Sequence, residues 1–509
     1  MRHSPKDTNP YDSFTPNSPE ANLSDISPAV QGSYETFWRE HGVTRDEIAA
    51  QVHDLEYTKT LIGDFCDDYI HESVYDAAML GPITDAYLAG DRAAEQALCQ
   101  YVDTASSPNH MQEYVLGIAR DRAEIDAFWN LTVADMYEDN PALRNALLGD
   151  AASEVSTDLW QPRAKLVMPA RTLELLDSVN IESLLISSAE TLAQLDPDKV
   201  TLDNNTLQNA YRAEAFLGPL CEIIGFDGLS MALQSRVNVL RATYTGRQAQ
   251  VAEATRIIEE RGSEQQVDQD VQALFGAIFG ENIHEQVIKH AAPHGIIIGE
   301  GLATSKNLRV VWRLKSIGSL ANKLSRTNPE EFTPMDIVGA TVITDTEEQV
   351  AERLTRIIER SHNDPDVKMV PTVDRTDAVH VKGTPDYIDT VREVLGFTSV
   401  DAMKRFVDVK EVTEGAHRVC KVTLVHSREG RPDLRAEIQL TTAADRIDAR
   451  IGSAAHLLYK FSGSADQTPD PAYLAAIHAR KDELTQRNTY LVPASAARAR
   501  QLRQQLTTQ

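Results

Sequence analysis

Cysteine is scarce in this sequence of 509 residues: there are four, Cys66, Cys99, Cys221 and Cys420. They lie far apart with no paired spacing, so neither a disulfide framework nor a structural zinc site is indicated. Long apolar runs are missing too. None approaches the ~20 residues that span a bilayer, and no membrane association is expected. The opening stretch MRHSPKDTNPYDSFTPNSPE is polar, without the apolar core of a secretory signal, so a soluble cytoplasmic protein is the expectation. Positive charge is short: 50 Lys and Arg against 76 Asp and Glu leave a net charge of −26. What remains is ordinary. With 42% apolar and 25% charged residues, the composition excludes collagen-like, low-complexity and wholly disordered chains. The length allows about two to four domains.

The charge is unevenly placed. Residues 1–300 hold 20 Lys and Arg against 48 Asp and Glu, whereas residues 301–509 hold 30 against 28. The acidic part is a poor general binder of nucleic acid, so a nucleic-acid partner is not expected. Anion-handling chemistry falls to the near-neutral part, with its basic cluster Arg309, Arg313, Lys315, Lys323 and Arg326. Segment 1–32 reads as a disordered lead. Segment 33–260 has helical periodicity almost throughout. The helical pattern continues through SEQQVDQDVQALFGAIFGENIHEQVIKHA as one or two helices. From about 295 the pattern changes. GIIIG, NLRVVW, MDIVGATVIT, HRVCKVTLVHS and LRAEIQLTT read as strands, the last two joined as a hairpin by REGRPD. EEQVAERLTRIIERS and AADRIDARIGSAAHLLYK read as amphipathic helices. An all-helical region therefore precedes an α/β region spanning 261–465, and a helical, loose tail covers 466–509.

Within the α/β region, Lys315, Ser319 and Lys323 recur every four residues, which on a helix aligns two ammonium groups and a hydroxyl along one face. With Arg313 just before them, they form a candidate polyphosphate clamp. Taken alone, a solvated basic face is the commoner meaning of such a stripe. Asp336 opens the strand MDIVGATVI, and Glu437 and Gln439 share one face of RAEIQLTT. Two carboxylates from two strands could hold Mg²⁺ at a triphosphate, as phosphoryl and pyrophosphoryl transfer requires. The two are expected on neighbouring strands, facing one cleft.

Order and spacing together resemble the synthetase domain of RelA/SpoT homologues, which make and degrade guanosine tetra- and pentaphosphate. The blocks are Arg313, Lys315, Ser319 and Lys323; then Asp336 and Gly339; then Glu437 and Gln439; then Gly452, Ala454, Ala455, His456, Tyr459 and Lys460. The resemblance implies that Arg313 stacks on or pairs with an ATP donor and that Lys315 and Lys323 hold its phosphates. It implies that Asp336 binds Mg²⁺ and that Glu437 is the base or a second metal ligand. Pyrophosphate would then move from ATP to the 3′-hydroxyl of a guanine nucleotide. The chain departs from the family at four positions. Thr341 and Thr441 stand where the family has arginines, Ala416 where a tyrosine stacks on guanine, and Cys420 where a histidine stands. Losing a stacking platform costs ~1–3 kcal/mol, and Thr cannot replace bidentate arginine contacts. These departures imply an acceptor other than GTP or GDP, or lost activity.

The acidic part resembles, more faintly, the all-helical HD-type hydrolase that precedes the synthetase in long family members. The fold implied is an all-helical HD-like domain followed by a nucleotidyltransferase-like mixed sheet flanked by helices. His110 matches the first metal histidine, Asp135 is retained, Glu138 and Asp139 match an acidic pair, and Glu190 stands in for the last aspartate. Ala134 replaces the second histidine, so a remnant site is expected to lack Mn²⁺ and hydrolase activity. Two other readings compete with a transferase: a non-catalytic nucleotide-binding or interaction protein, and a toxin-like transferase acting on another 3′-hydroxyl such as that of tRNA.

Overall fold

The computed structural model describes residues 28–43, 55–62, 72–104, 108–149, 156–161, 175–176, 178–196, 200–224, 226–262, 264–279, 284–292, 296–305, 308–325, 336–371, 377–413 and 417–451. It is an α+β protein, and none of its described helices is long and apolar enough to cross a membrane. By compactness the chain forms two units, one of residues 1–63 and 70–124, the other of 64–69 and 125–509.

In the first unit, the helix Pro28–His41 begins inside the segment expected to be disordered. It buries Ala29, Val30, Ser33, Tyr34 and Trp38, spaced three and four apart, against the helix Arg92–Thr104. The Tyr34 hydroxyl donates to the Met79 carbonyl at 2.5 Å, so this buried phenol keeps a partner.

The second unit joins helices to one mixed sheet. Among the described residues nine strands form it: β1 (His284–Ala292), β2 (Ile296–Ser305), β3 (Leu308–Leu314), β4 (Val338–Thr344), β5 (Val367–Met369), β6 (Val379–Gly383), β7 (Asp408–Glu411), β8 (Val419–Arg428) and β9 (Arg431–Thr442). Their order is β1-β2-β3-β4-β9-β8-β6-β7, with β5 on β8. The pairs β4–β9 and β6–β7 are parallel and the rest antiparallel. β1 corrects the expectation of helix up to residue 291. The helix there is Glu264–Phe279, and HEQVIKHAA pairs instead with β2. Nine residues are too few for their own helical preference to outweigh a complete backbone ladder.

Alternation along the strands separates two faces. Val338, Ala340 and Val342 of β4, Ala436, Ile438 and Leu440 of β9, and Cys420, Val422 and Leu424 of β8 are buried in one core with Leu354 and Ile357 of the helix Glu347–Asn363. The intervening residues make the polar face. Ala254, Ile257 and Ile258, from the helix Gln248–Glu259, lie in that same core. The compact unit therefore continues across residue 260, the expected boundary between the helical and the α/β region, because the helix Gln248–Glu259 supplies its apolar face to the sheet domain.

Asp270 fastens the helix Glu264–Phe279 to the β8–β9 hairpin. It is buried and accepts from Arg428 at 2.8 Å and from Arg431 at 2.7 Å. Gly430 turns this hairpin with φ +72°, a conformation that suits glycine.

Candidate anion and nucleotide site

The site begins where β3 ends. The spacing of Lys315, Ser319 and Lys323 implies one continuous helical stripe, but the helix runs from Ile317 to Leu324. Ser316 is its cap, accepting from the Ser319 amide at 3.3 Å, so Lys315 lies in the turn between strand and helix. The Ser319 hydroxyl is engaged with Ser316 at 3.0 Å. The turn still delivers both lysines to one place. Lys315 Nζ lies 2.5 Å from one oxygen of Asp336, and Lys323 Nζ lies 2.8 Å from the other.

Electrostatics follow from that geometry. Burial opposes ionisation of Asp336, but the two ammonium groups outweigh it and hold the carboxyl below its ordinary value of 3.8. Lys315 also shifts downward, because burial outweighs its share of Asp336 and Lys323 and Arg313 add repulsion. Both partners of the ion pair therefore move down for different reasons, Asp336 because two cations stabilise its charge and Lys315 because burial exceeds what half of a shared carboxylate returns.

Arg313 stands opposite Gly339, and Gly339 stands opposite Glu437, so the three lie in a row across β3, β4 and β9. A side chain at Gly339 would meet Arg313 Cγ and Nε at 3.8 Å, which means that the exposed Arg313 lies over the glycine. Glu437 Oε1 accepts from Gln439 Nε2 at 2.8 Å and from Lys421 Nζ at 3.3 Å. Asp336 precedes Gly339 by three residues, about 10 Å at ~3.3 Å per residue. The two carboxylates expected to share a cleft belong to separate groups, Asp336 with Lys315 and Lys323 just before β4, and Glu437 with Gln439 and Lys421 on β9. Among the described residues, no group of three or more His, Cys, Asp or Glu is arranged to hold a metal.

The departures from the family have distinct settings. Thr341 is half-buried on the polar face. Thr441 is buried and donates to the Arg418 carbonyl at 3.3 Å. Cys420 points to the opposite face, where its sulfur lies 3.4 Å from the Tyr387 hydroxyl and burial pushes the thiol up to about 12. Ala416, Arg326 and the block Gly452–Lys460 lie outside the described residues, as does the His110 side chain. Asp135, Glu138 and Asp139 are exposed at the end of the helix Pro108–Met136 and in the turn after it. Glu190 is half-buried on the helix Ile181–Gln194. His110 falls in the first compact unit and the other four in the second.

Sequence reasoning missed the basic part of the polar face on β6, β7 and β8. Lys421 was visible as the polar member of the apolar strand VCKVTLV. Lys382 and Lys410 offered no such signal, because strands of five and four residues are too short for a period to register. The sequence matches no protein-family model, and no curated protein is significantly similar to it.

Proposed function

We propose that the chain is a RelA/SpoT-type, nucleotidyltransferase-like protein of guanosine tetraphosphate metabolism. It transfers pyrophosphate from ATP to the 3′-hydroxyl of a nucleotide, and its HD-like part is inactive as a hydrolase. The observation that carries this reading is the convergence of Lys315 and Lys323 beside the row Arg313–Gly339–Glu437. Cations gathered at a strand end, next to a carboxylate on the adjoining strand, are what polyphosphate transfer asks of a protein.

Asp336 fits a Mg²⁺ ion that arrives on a triphosphate. It is half-buried, held ionised, and its present partners are ammonium groups that phosphate oxygens can take over. Bound there, the ion would neutralise charge on the transferring phosphates. Glu437, engaged with Gln439 and Lys421 rather than with the Asp336 cluster, suits the role of base. It would take the proton of the attacking 3′-hydroxyl as the bond to the β-phosphorus forms and AMP leaves. Lys315, Lys323 and Arg313 would orient the donor. In the HD-like part, Ala134 supplies no ligand and hydrolysis of guanosine tetraphosphate is not expected.

The second reading, a nucleotide-binding or interaction protein without catalysis, is favoured by one observation: both Asp336 oxygens are already neutralised. The test is incubation of the full chain with γ-labelled ATP and Mg²⁺ against GDP, GTP, ADP, ATP and tRNA. Labelled product on one acceptor, lost in Glu437→Gln, supports transfer. ATP binding with no labelled product on any acceptor leaves the second reading, and a product on tRNA alone makes the enzyme toxin-like.

A further inference from the structure

A second basic group lies on the same polar face, on the far side of β9 from Arg313, Lys315 and Lys323. Parallel pairing sets Lys382 of β6 beside Lys410 of β7. Antiparallel pairing sets Lys421 of β8 beside His380, two residues before Lys382 on the same face. Three ammonium groups are thereby brought onto three adjacent strands. His417, which leads into β8, adds an imidazole whose Nδ1 is buried without a hydrogen-bond partner.

The acidic groups on this face are committed elsewhere. Asp408 lies 2.7 Å from His380, and Glu437 serves Gln439 as well as Lys421. Among the described residues, neither Lys382 nor Lys410 has an ion pair. Lys382 is pushed below its ordinary value, first by burial and then by the charges of Lys410 and Lys421. Burial, and then the charges of Lys382 and Lys421 against a smaller opposing pull from Asp445, push His417 down to about 4, so at neutral pH it is uncharged and carries one N–H donor. A fold that holds these like charges together, and leaves Lys382 and Lys410 without a carboxylate of their own, is unfavourable until an anion arrives.

We propose that Lys382, Lys410, Lys421 and His417 form a second anion site, which takes a phosphate group of a small phosphorylated molecule. Strand order places it three strands from β4, about 14 Å at ~4.8 Å per strand, so it is separate from the Asp336 cluster. Glu437, on β9, stands between the two. The site does not depend on the transfer reading; if that reading holds, one molecule occupies each side of Glu437. The net charge of −26 disfavours a nucleic acid as the occupant.

Calorimetric titration of the full chain with inorganic pyrophosphate tests this. The Lys382→Gln/Lys410→Gln variant should weaken binding by about tenfold or more, since each charge-assisted contact to phosphate contributes strongly. Lys382→Arg/Lys410→Arg should keep most of it, and Lys315→Gln should leave this binding event in place. Far-UV circular dichroism and urea unfolding confirm that each variant is folded. Unchanged affinity in the double Gln variant overturns the proposal, as does the absence of binding to the wild type or complete loss in Lys315→Gln. Tighter binding of a single-stranded oligonucleotide than of pyrophosphate, sensitive to the same double substitution, overturns the small-molecule assignment. Pyrophosphate binding that follows the expected pattern in a protein without transferase activity sinks only the transfer reading.

Discussion

One carboxylate between two ammonium groups makes Asp336 the most consequential residue of the candidate site. If ATP takes over those ammonium groups, Lys315→Ala should weaken ATP–Mg²⁺ binding roughly tenfold or more, the equivalent of losing one charge-assisted contact of ~1.5–3 kcal/mol. Calorimetry with and without Mg²⁺ measures it. Equal affinity in both proteins would mean that the lysine serves only Asp336. His417 makes a second, independent prediction. Its folded value of about 4 lies below the ordinary 6.5, so between those values the unfolded chain binds more protons than the folded one. Stability should therefore fall as pH drops from 6.5 to 4, and His417→Asn should flatten that part of the profile. Asp336 acts lower: its contribution is complete above 3.8 and fades as pH falls through its depressed value. Urea midpoints measured from pH 3 to 8 on wild type and His417→Asn separate the two. An unaltered slope between pH 4 and 6.5 in the variant would remove His417 as its source.

The helix Ile317–Leu324 is held close against a neighbour at Gly318. A Cβ at Gly318 would lie 2.2 Å from the Ser235 carbonyl oxygen, within the helix Asp227–Tyr244, and the Gly318 amide donates to Ser235 Oγ at 3.2 Å. Gly318→Ala must push the basic helix off its neighbour, at a cost of about 1–3 kcal/mol. Gly276 lies in the helix Glu264–Phe279 with nothing within 4 Å of its Cβ position. The same change there should stabilise by ~0.5–1 kcal/mol. Thermal unfolding of both variants checks the pair, and shifts of the same sign would refute the packing argument. Sequence made much of this layer legible. The extended-to-helical change at Arg313–Ile317, the β4 strand, the helix after it and the β8–β9 hairpin all follow from periodicity and turn residues. The segment containing β5, β6 and β7 was not legible, because strands of three to five residues carry too few alternations. Nor was the Lys421–Glu437 pair, which depends on a β8–β9 register displaced by the irregularity between His426 and Arg428, or the Ser316 cap that takes Lys315 off the helix. Contacts between strands are fixed by register, and a local pattern does not encode register beyond a hairpin.

For the whole molecule, a net charge of −26 works against compactness at low salt. Raising NaCl from 0.1 to 1 M shortens the screening length from ~10 to ~3 Å, and the unfolding midpoint at pH 7 should rise by a few degrees. A fall instead would show that specific ion pairs, such as those of Asp270 and Arg418, outweigh the general repulsion. The parallel β4–β9 pair also sets a timetable for synthesis. Val338 pairs with Ala436, so β4 leaves the ribosome about 100 residues before the strand that covers its edge, a wait of ~5–20 s at ~5–20 residues per second. Throughout that interval VGATVIT, seven uncharged residues rich in β-branched side chains, offers an open ladder to any other nascent chain. The strand that brings Glu437 to the site is thus also the one that closes the open edge of β4, and yield in a cell should depend on how quickly a chaperone shelters β4 until β9 arrives.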